Sequence, residues 1–232
     1  MECIDESEVD TWQQSADLIV AGIGMAGVCA ALSAAEQGGR VIALERGSGV
    51  NGSATQAAGH FYLGGGTRPQ IANGLQDSAE EMFKYLQALT PEPEDRKIRL
   101  YCDDSVSHFD WLCYQGVPFN DGYFRQKHVE QPTDECLIWS GNEKVWPYSE
   151  RAKPAPRGHK VAVEGSGGAL AMERLTERAI QQGVTLQFDS AVNALVKSHA
   201  GKVLGVRCRQ FGEQQFVKAE HLLVHHVTTG GQ

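Results

Sequence analysis

Residues Ala21–Gly47 read AGIGMAGVCAALSAAEQGGRVIALERG, and the reading of this stretch decides the fold. Just upstream, DLIVA (Asp17–Ala21) is a short continuous apolar run that feeds a glycine turn. Met25–Gln37 is rich in alanine and other small residues and predicts a helix, stopped by Gly38 and Gly39. RVIALE (Arg40–Glu45) is a second apolar run without alternation, the pattern of a strand covered on both faces in a parallel sheet. Residues 17–45 therefore predict a βαβ start.

Between the first strand and the helix, Gly22, Gly24 and Gly27 form G-x-G-x-x-G. In such a turn the first glycine bends the chain, the second lets the backbone approach a pyrophosphate, and the third lets helix and strand pack closely. The helix N-terminus adds N–H groups and a positive dipole end. Glu45 ends the second strand about 20 residues on, where a carboxylate binds ribose hydroxyls and repels a 2′-phosphate, so NADP is disfavoured. NAD and FAD both satisfy this fingerprint. After Arg46, however, the chain runs through a long Gly-, Ser- and Ala-rich stretch that closes on Gly64, Gly65, Gly66 and Thr67. Small residues let backbone amides lie against a large flat cofactor, which favours FAD; a flexible surface loop is the alternative on composition alone.

The chain as a whole narrows the function classes. Its 232 residues are enough for one sizeable α/β core. A formal net charge of −8 and the lack of a basic run argue against a nucleic-acid partner or a membrane surface. The opening MECIDESEVD is acidic rather than basic and apolar, unlike a signal peptide, and no apolar run approaches the length of a membrane span. The six cysteines (3, 29, 102, 113, 136 and 208) form no CxxC pair, which leaves reduced thiols in a cytoplasmic protein as the expectation.

Beyond the βαβ start, residues 46–70 show neither helical nor strand period. A helix is expected near Asp77–Leu89, with Met82, Phe83, Leu86 and Leu89 on one face. A second is expected after Pro91 and Pro93, carrying Ile98, Tyr101, Cys102, Val106, Phe109 and Cys113 and stopping at Gly116. Residues 117–165 read as irregular, pinned by Trp139 and Trp146. Then come a helix over Ser166–Gln182 capped at Ser166, the alternating run VTLQFD, a hairpin turning at Gly201–Lys202, and a last strand running into a glycine pair.

The quoted motifs, together with GSATQAAGHFYLGGGT, the helix that begins GSGGALAMERL, and the closing TTGG, resemble the FAD-dependent oxidoreductase 2 family. This is the FAD-binding domain shared by fumarate reductase and succinate dehydrogenase flavoproteins and 3-ketosteroid Δ1-dehydrogenases. The resemblance implies an α/β, Rossmann-like FAD-binding domain of the glutathione-reductase type: a parallel sheet with helices and a small antiparallel β-meander, the cap domain absent. Residues 1–15 would be an N-terminal tail and 16–231 an incomplete FAD-binding domain. By position, Gly22, Gly24, Gly27, Glu45 and Arg46 would hold the AMP half of FAD. Ser53, Thr55, Ala57, Ala58 and Gly59 would approach pyrophosphate and flavin, and Gly65, Gly66 and Thr67 would complete the cradle. Val192 would meet adenine through its backbone, and Thr229 and Gly230 would close the site. Ala54 stands where membrane succinate dehydrogenases carry the histidine that binds FAD covalently, so non-covalent FAD is implied. His60 replaces the second glycine of the family's AAGG and either shifts the loop, contacts the flavin or is a partly exposed loop residue.

The implied reaction moves a hydride between the flavin and a C–C bond next to a carbonyl or carboxylate, on a dicarboxylate or a steroid-like enone. The family's cap and catalytic residues have no counterpart before Gln232, so no catalytic residue is assigned and the electron donor or acceptor stays open. A fragment is the expectation, and a nucleotide-binding remnant without turnover is the alternative function; an NAD-binding Rossmann protein is disfavoured by the loop after Glu45. His225 and His226 sit on the last strand, where adjacent side chains point to opposite faces. With His221 they lack a metal-ligand spacing, and no metal is expected. Cys29 reads as core packing, Asp103, Asp104 and Asp110 as a solvated helix face, and His108, His128, His159 and His199 as histidines with no visible nucleophile or metal partner.

Overall fold

The computed structural model describes residues 1–92, 94–126, 128 and 131–224. The chain separates into two compact units, Met1–Ala54 with Met172–Gln232, and Thr55–Ala171. The first unit opens with β1 (Glu2–Asp5), β2 (Gln14–Ala21), α1 (Met25–Glu36) and β3 (Val41–Leu44). β2 and β3 pair in parallel, from Leu18 opposite Val41 to Ala21 opposite Leu44. Ile19, Val20 and all four residues of β3 are buried, which is why these runs do not alternate. The opening segment, read as a tail, contributes a strand: β1 pairs in parallel with residues 194–197 and buries Ile4 against Ala194 and Val196. The acidic composition of residues 1–10 hides this strand, whose hold on the sheet includes an ion pair from Glu2 to Arg207.

After α2 (Ser53–Gln56) the second unit holds β4 (His60–Tyr62), α3 (Arg68–Ala72), α4 (Ala79–Leu89), α5 (Asp95–Asp103), α6 (Ser105–Tyr114), β5 (Tyr123–Phe124), β6 (Leu137–Ile138), α7 (Tyr148–Arg151) and β7 (Gly158–Lys160). Its four strands form one sheet in the order β4-β7-β6-β5, antiparallel around β7 and parallel between β5 and β6. Stretches read as irregular thus supply every strand of this sheet, each too short to show a period. On α4 the buried residues are Met82 and Tyr85, whereas Leu89 is exposed. The tyrosine is accommodated because its hydroxyl accepts from the Asn142 N–H at 2.8 Å. The single helix expected up to Gly116 is two, parted at Asp104. Asp103 and Asp104 disfavour the negative C-terminal end of α5 and suit the N-terminus of α6. Trp139 is half-buried and donates to the Tyr123 hydroxyl, but Trp146, expected as an anchor, is 72% exposed and pins nothing.

α8 (Gly168–Gln181) returns the chain to the first unit, followed by β8 (Thr185–Gln187), β9 (Ser190–Lys197), β10 (Val203–Gln210) and β11 (Glu213–Val224). The seven-stranded sheet runs β1-β9-β10-β11-β2-β3-β8. β9, β10 and β11 form the antiparallel meander, and the remaining pairs are parallel. The expected hairpin is β9–β10. A second tight turn, at Phe211 and Gly212 with φ of 49° and 91°, joins β10 to β11. β11 then pairs in parallel with β2 from Val217 to Val224. This is the parallel-rich α/β architecture with a meander that the resemblance implied. Among the described residues no helix is long and apolar enough to cross a membrane. His225, His226, Thr229 and Gly230 lie outside the described residues.

Candidate cofactor site

The first unit places the glycine fingerprint at the C-terminal end of β2. Gly22 has φ +101°, a conformation that strains any side chain. A Cβ on Gly27 would stand 1.9 Å from the Gly22 carbonyl oxygen, so α1 can approach β2 only with a glycine there. Gly24 differs from both. It is the N-cap of α1 in extended conformation (φ −87°, ψ −174°), and a Cβ on it would meet nothing within 4 Å. The fold itself therefore asks for glycine at 22 and 27, while at 24 glycine keeps space open at the helix N-terminus. The N–H groups of Gly24, Met25, Ala26 and Gly27 have no acceptor among the described residues; the ladder begins with Val28 N–H to Gly24 O at 2.9 Å. Open space, four free donors and a positive helix end are what a pyrophosphate requires.

Glu45 is fixed beside this turn. Its carboxylate accepts from Ile23 N–H at 2.8 Å and from Gly47 N–H at 2.9 Å, and each oxygen keeps lone-pair capacity for a hydroxyl. Its backbone is tied on both sides, N–H to Gln187 O (2.8 Å) and O from Ser190 N–H (2.7 Å). Arg46 and Ser53 are exposed in the same unit. Val192, on β9 opposite Cys208, packs its side chain against the core. Cys29 is held by burial, which pushes its thiol up to about 11, an inert packing residue.

The second unit holds Thr55, Ala57, Ala58, Gly59, Gly65, Gly66 and Thr67. Gly59 is buried at φ +80°, and a Cβ there would stand 2.5 Å from the Gly167 carbonyl carbon. The carbonyls of Ala57, Ala58 and Gly59 accept from the N–H groups of Gly168 (3.0 Å), Gly167 (2.8 Å) and Val161 (3.1 Å). The N–H groups of Ala58 and Gly59 meet no acceptor among the described residues. The neighbouring His60 opens β4 opposite Lys160.

Residues 64–67 are wired the other way. Gly64 N–H donates to Ser105 Oγ (2.7 Å) and Gly65 N–H to Asp77 Oδ2 (3.0 Å). Gly66 and Thr67 N–H both donate to Gln70 Oε1 at 3.0 Å. Gln70 Nε2 in turn donates to Asp77 Oδ2 (3.0 Å) and Pro156 O (2.8 Å). Asp77 and Arg157, with side chains 1% and 0% exposed, form a two-pronged ion pair, Nε to Oδ2 at 2.8 Å and Nη2 to Oδ1 at 2.7 Å. Burial alone would raise the Asp77 carboxyl; the Arg157 hydrogen bonds and charge outweigh it and hold the carboxyl below its ordinary value. Thr67 is buried, with its hydroxyl 2.7 Å from His159 Nε2. His159 Nδ1 lies 3.1 Å from the Arg157 carbonyl, which can only accept, so Nδ1 carries the proton and Nε2 accepts from Thr67. Burial lowers His159 to about 4 and keeps it neutral. Beside this array Tyr62 donates to Glu143 at 3.0 Å, and burial raises the Glu143 carboxyl.

Sequence reasoning missed Gln70, Asp77 and Arg157 and the contacts that His159 makes with Thr67 and Arg157. Thr67-x-x-Gln70 is the spacing of a capping box and was a usable local signal. Asp77 and Arg157, 80 positions apart, offered none.

A strand, a G-x-G-x-x-G turn with its second glycine open, a helix, a second strand and a tethered acid define a dinucleotide-binding α/β protein. The FAD binding domain family's model matches residues 17–232, running through both units; the chain belongs to that family, and FAD is its cofactor. Among curated proteins the chain is 31% identical over 213 residues to the 3-oxo-5-alpha-steroid 4-dehydrogenase of Comamonas testosteroni, covering 88% of this chain and 40% of that protein. It is 24% identical over 217 residues to the fumarate reductase (cytochrome) of Shewanella frigidimarina, covering 93% and 33%. Among solved structures, the 3-ketosteroid-Δ4-(5α)-dehydrogenase of Rhodococcus jostii RHA1 superposes with a TM-score of 0.93 at 38% identity, covering 97% of this chain and 48% of that one. The chain spans less than half the length of each of these proteins.

Proposed function

We propose that this chain is the FAD-holding part of a flavin-dependent oxidoreductase acting on a C–C bond next to a carbonyl. The observation that carries this reading is the open Gly24 position at the head of α1, with four free N–H donors and Glu45 tethered alongside. Gly22, Gly24, Gly27, Glu45 and Arg46 hold the AMP half, with Val192 at the adenine. Ser53, Thr55, Ala57, Ala58 and Gly59 take the pyrophosphate and flavin, with Gly65, Gly66 and Thr67 beside them. Bound FAD supplies the hydride chemistry; the protein binds, orients and tunes it. With Ala54 at the position where a histidine could form a bond to the cofactor, FAD is held non-covalently.

A steroid-like enone is favoured over a dicarboxylate as substrate class. Identity is higher to the steroid dehydrogenases, 31% and 38%, than to the fumarate reductase, 24%. Steady-state turnover of a 3-oxosteroid with an artificial electron acceptor, run beside fumarate reduction with reduced dye, tests both parts. Turnover of the steroid alone supports the reading. Turnover of fumarate alone reverses the substrate class, and FAD binding with neither turnover supports the cofactor-holding role alone.

A further inference from the structure

The two loops that flank β4 carry opposite backbone polarity. Before the strand, the carbonyls of Ala57–Gly59 are consumed and N–H groups are left over. After it, the N–H groups of Gly64–Thr67 are all consumed by side chains, and no donor among the described residues reaches the carbonyls of Gly64, Gly65 and Gly66. We propose that Gln70, Asp77 and Arg157 are positioning residues that preset the triglycine loop as a hydrogen-bond acceptor surface for the flavin. The proposal rests on the reading that Gly65, Gly66 and Thr67 lie against FAD.

The array is locked at each level. Gln70 gives two of the four acceptor contacts with one oxygen, and its Nε2 is committed to Asp77 and Pro156, so the amide cannot be turned over without losing four contacts. Asp77 accepts from Gly65 and Gln70, and its remaining capacity is filled by Arg157. Gln70 and Arg157 are fully buried. Turning one loop N–H outward would strand a buried acceptor without a partner. The polarity of the loop is therefore fixed before any cofactor arrives. An isoalloxazine ring presents both N–H donors and carbonyl or ring-nitrogen acceptors along its edge. The Ala58–Gly59 loop meets its acceptors, and the Gly64–Gly66 loop meets only donors or the apolar ring face.

Backbone amide exchange on FAD-free protein tests the array by itself. The N–H groups of Gly65, Gly66 and Thr67 are expected to exchange at least about tenfold more slowly than those of Ala58 and Gly59. Adding FAD should then protect Ala58 and Gly59 and leave residues 65–67 unchanged. Gln70→Leu should speed exchange at Gly66 and Thr67, weaken FAD by about tenfold, or about 1.4 kcal/mol, and shift the visible bands of the bound flavin. Cys136→Ala, buried but outside the array, should change neither the loop's exchange nor the bands. If Gln70→Leu does not fold, Ser105→Ala, which strips only the Gly64 acceptor, should speed exchange at Gly64 and shift the visible bands of the bound flavin, and unchanged bands would overturn the proposal. Loop amides that exchange freely without FAD and become protected by it would overturn the proposal. So would a Gln70→Leu protein with a loosened loop but unchanged FAD affinity and bands. Protein with protected loop amides that takes up no FAD would instead overturn the cofactor reading, and with it the array's role toward flavin.

Discussion

Replacing Gly24 and Gly27 separately by alanine should divide cofactor binding from folding. At Gly27 the new Cβ would stand 1.9 Å from the Gly22 carbonyl oxygen, 3.1 Å from its carbon and 3.3 Å from a Val20 methyl. Two of these atoms are backbone, so α1 must move away from β2 by more than an ångström to restore contact distance. Overpacking of this kind costs about 1–3 kcal/mol, against which alanine's better helix propensity returns less than about 1 kcal/mol. At Gly24 the Cβ enters open space from an extended backbone that any residue adopts. The loss there is that of a weaker N-cap, about 0.5 kcal/mol. For a chain of this size 1 kcal/mol moves Tm by about 2–4 °C, so Gly24→Ala should lower the Tm of FAD-free protein by no more than about 2 °C and Gly27→Ala by several degrees. FAD titration should show the reverse sensitivity: Gly24→Ala loses at least about tenfold in affinity because its methyl fills the pyrophosphate space. A Gly24→Ala protein that binds FAD like the parent would refute the assignment of that space. Equal loss of stability in both variants would refute the division of roles among the glycines.

Three further outcomes follow from the second unit. His159 has an ordinary pKa of 6.5 and a folded value of about 4, so between these pH values the unfolded chain takes up a proton that the native state refuses. Its contribution is complete above about pH 6.5 and falls away toward pH 4, by about 3 kcal/mol in all; urea unfolding across that range should show the slope, and His159→Asn should flatten it. Asp77→Asn leaves Arg157 buried without its counter-charge and should cost about 3–5 kcal/mol in urea unfolding, with part recovered when Arg157→Met is added. Trp146→Ser, at a side chain that is 72% exposed, should leave stability within about 0.5 kcal/mol, and a larger loss would contradict its placement.

The parts legible in the sequence are those whose signal is local. Strand β2, the glycine turn, α1 and β3 could be read because burial on both faces removes alternation and because glycine spacing encodes the turn directly. Strands of two or three residues such as Tyr123–Phe124 and Leu137–Ile138 have no period to read, and their pairing with Gly158–Lys160 is purely tertiary. β1 was hidden by polar composition at a sheet edge. Composition also misplaced Trp146, since indole size says nothing about whether a pocket exists to receive it. In the candidate site the glycines were legible, but which backbone amides remain free was not. That depends on Ser105, Asp77 and Gln70 arriving from elsewhere in the fold. A stretch rich in small residues thus predicts close approach to a ligand without predicting the polarity it presents.

The most direct test of the central claim is the visible absorption spectrum of the purified protein before and after denaturation. Flavin bands that accompany the folded protein and separate from the chain on denaturation are the expected result. Protein that is colourless and takes up no added FAD would contradict the cofactor assignment, and bands that stay with the denatured chain would contradict non-covalent binding.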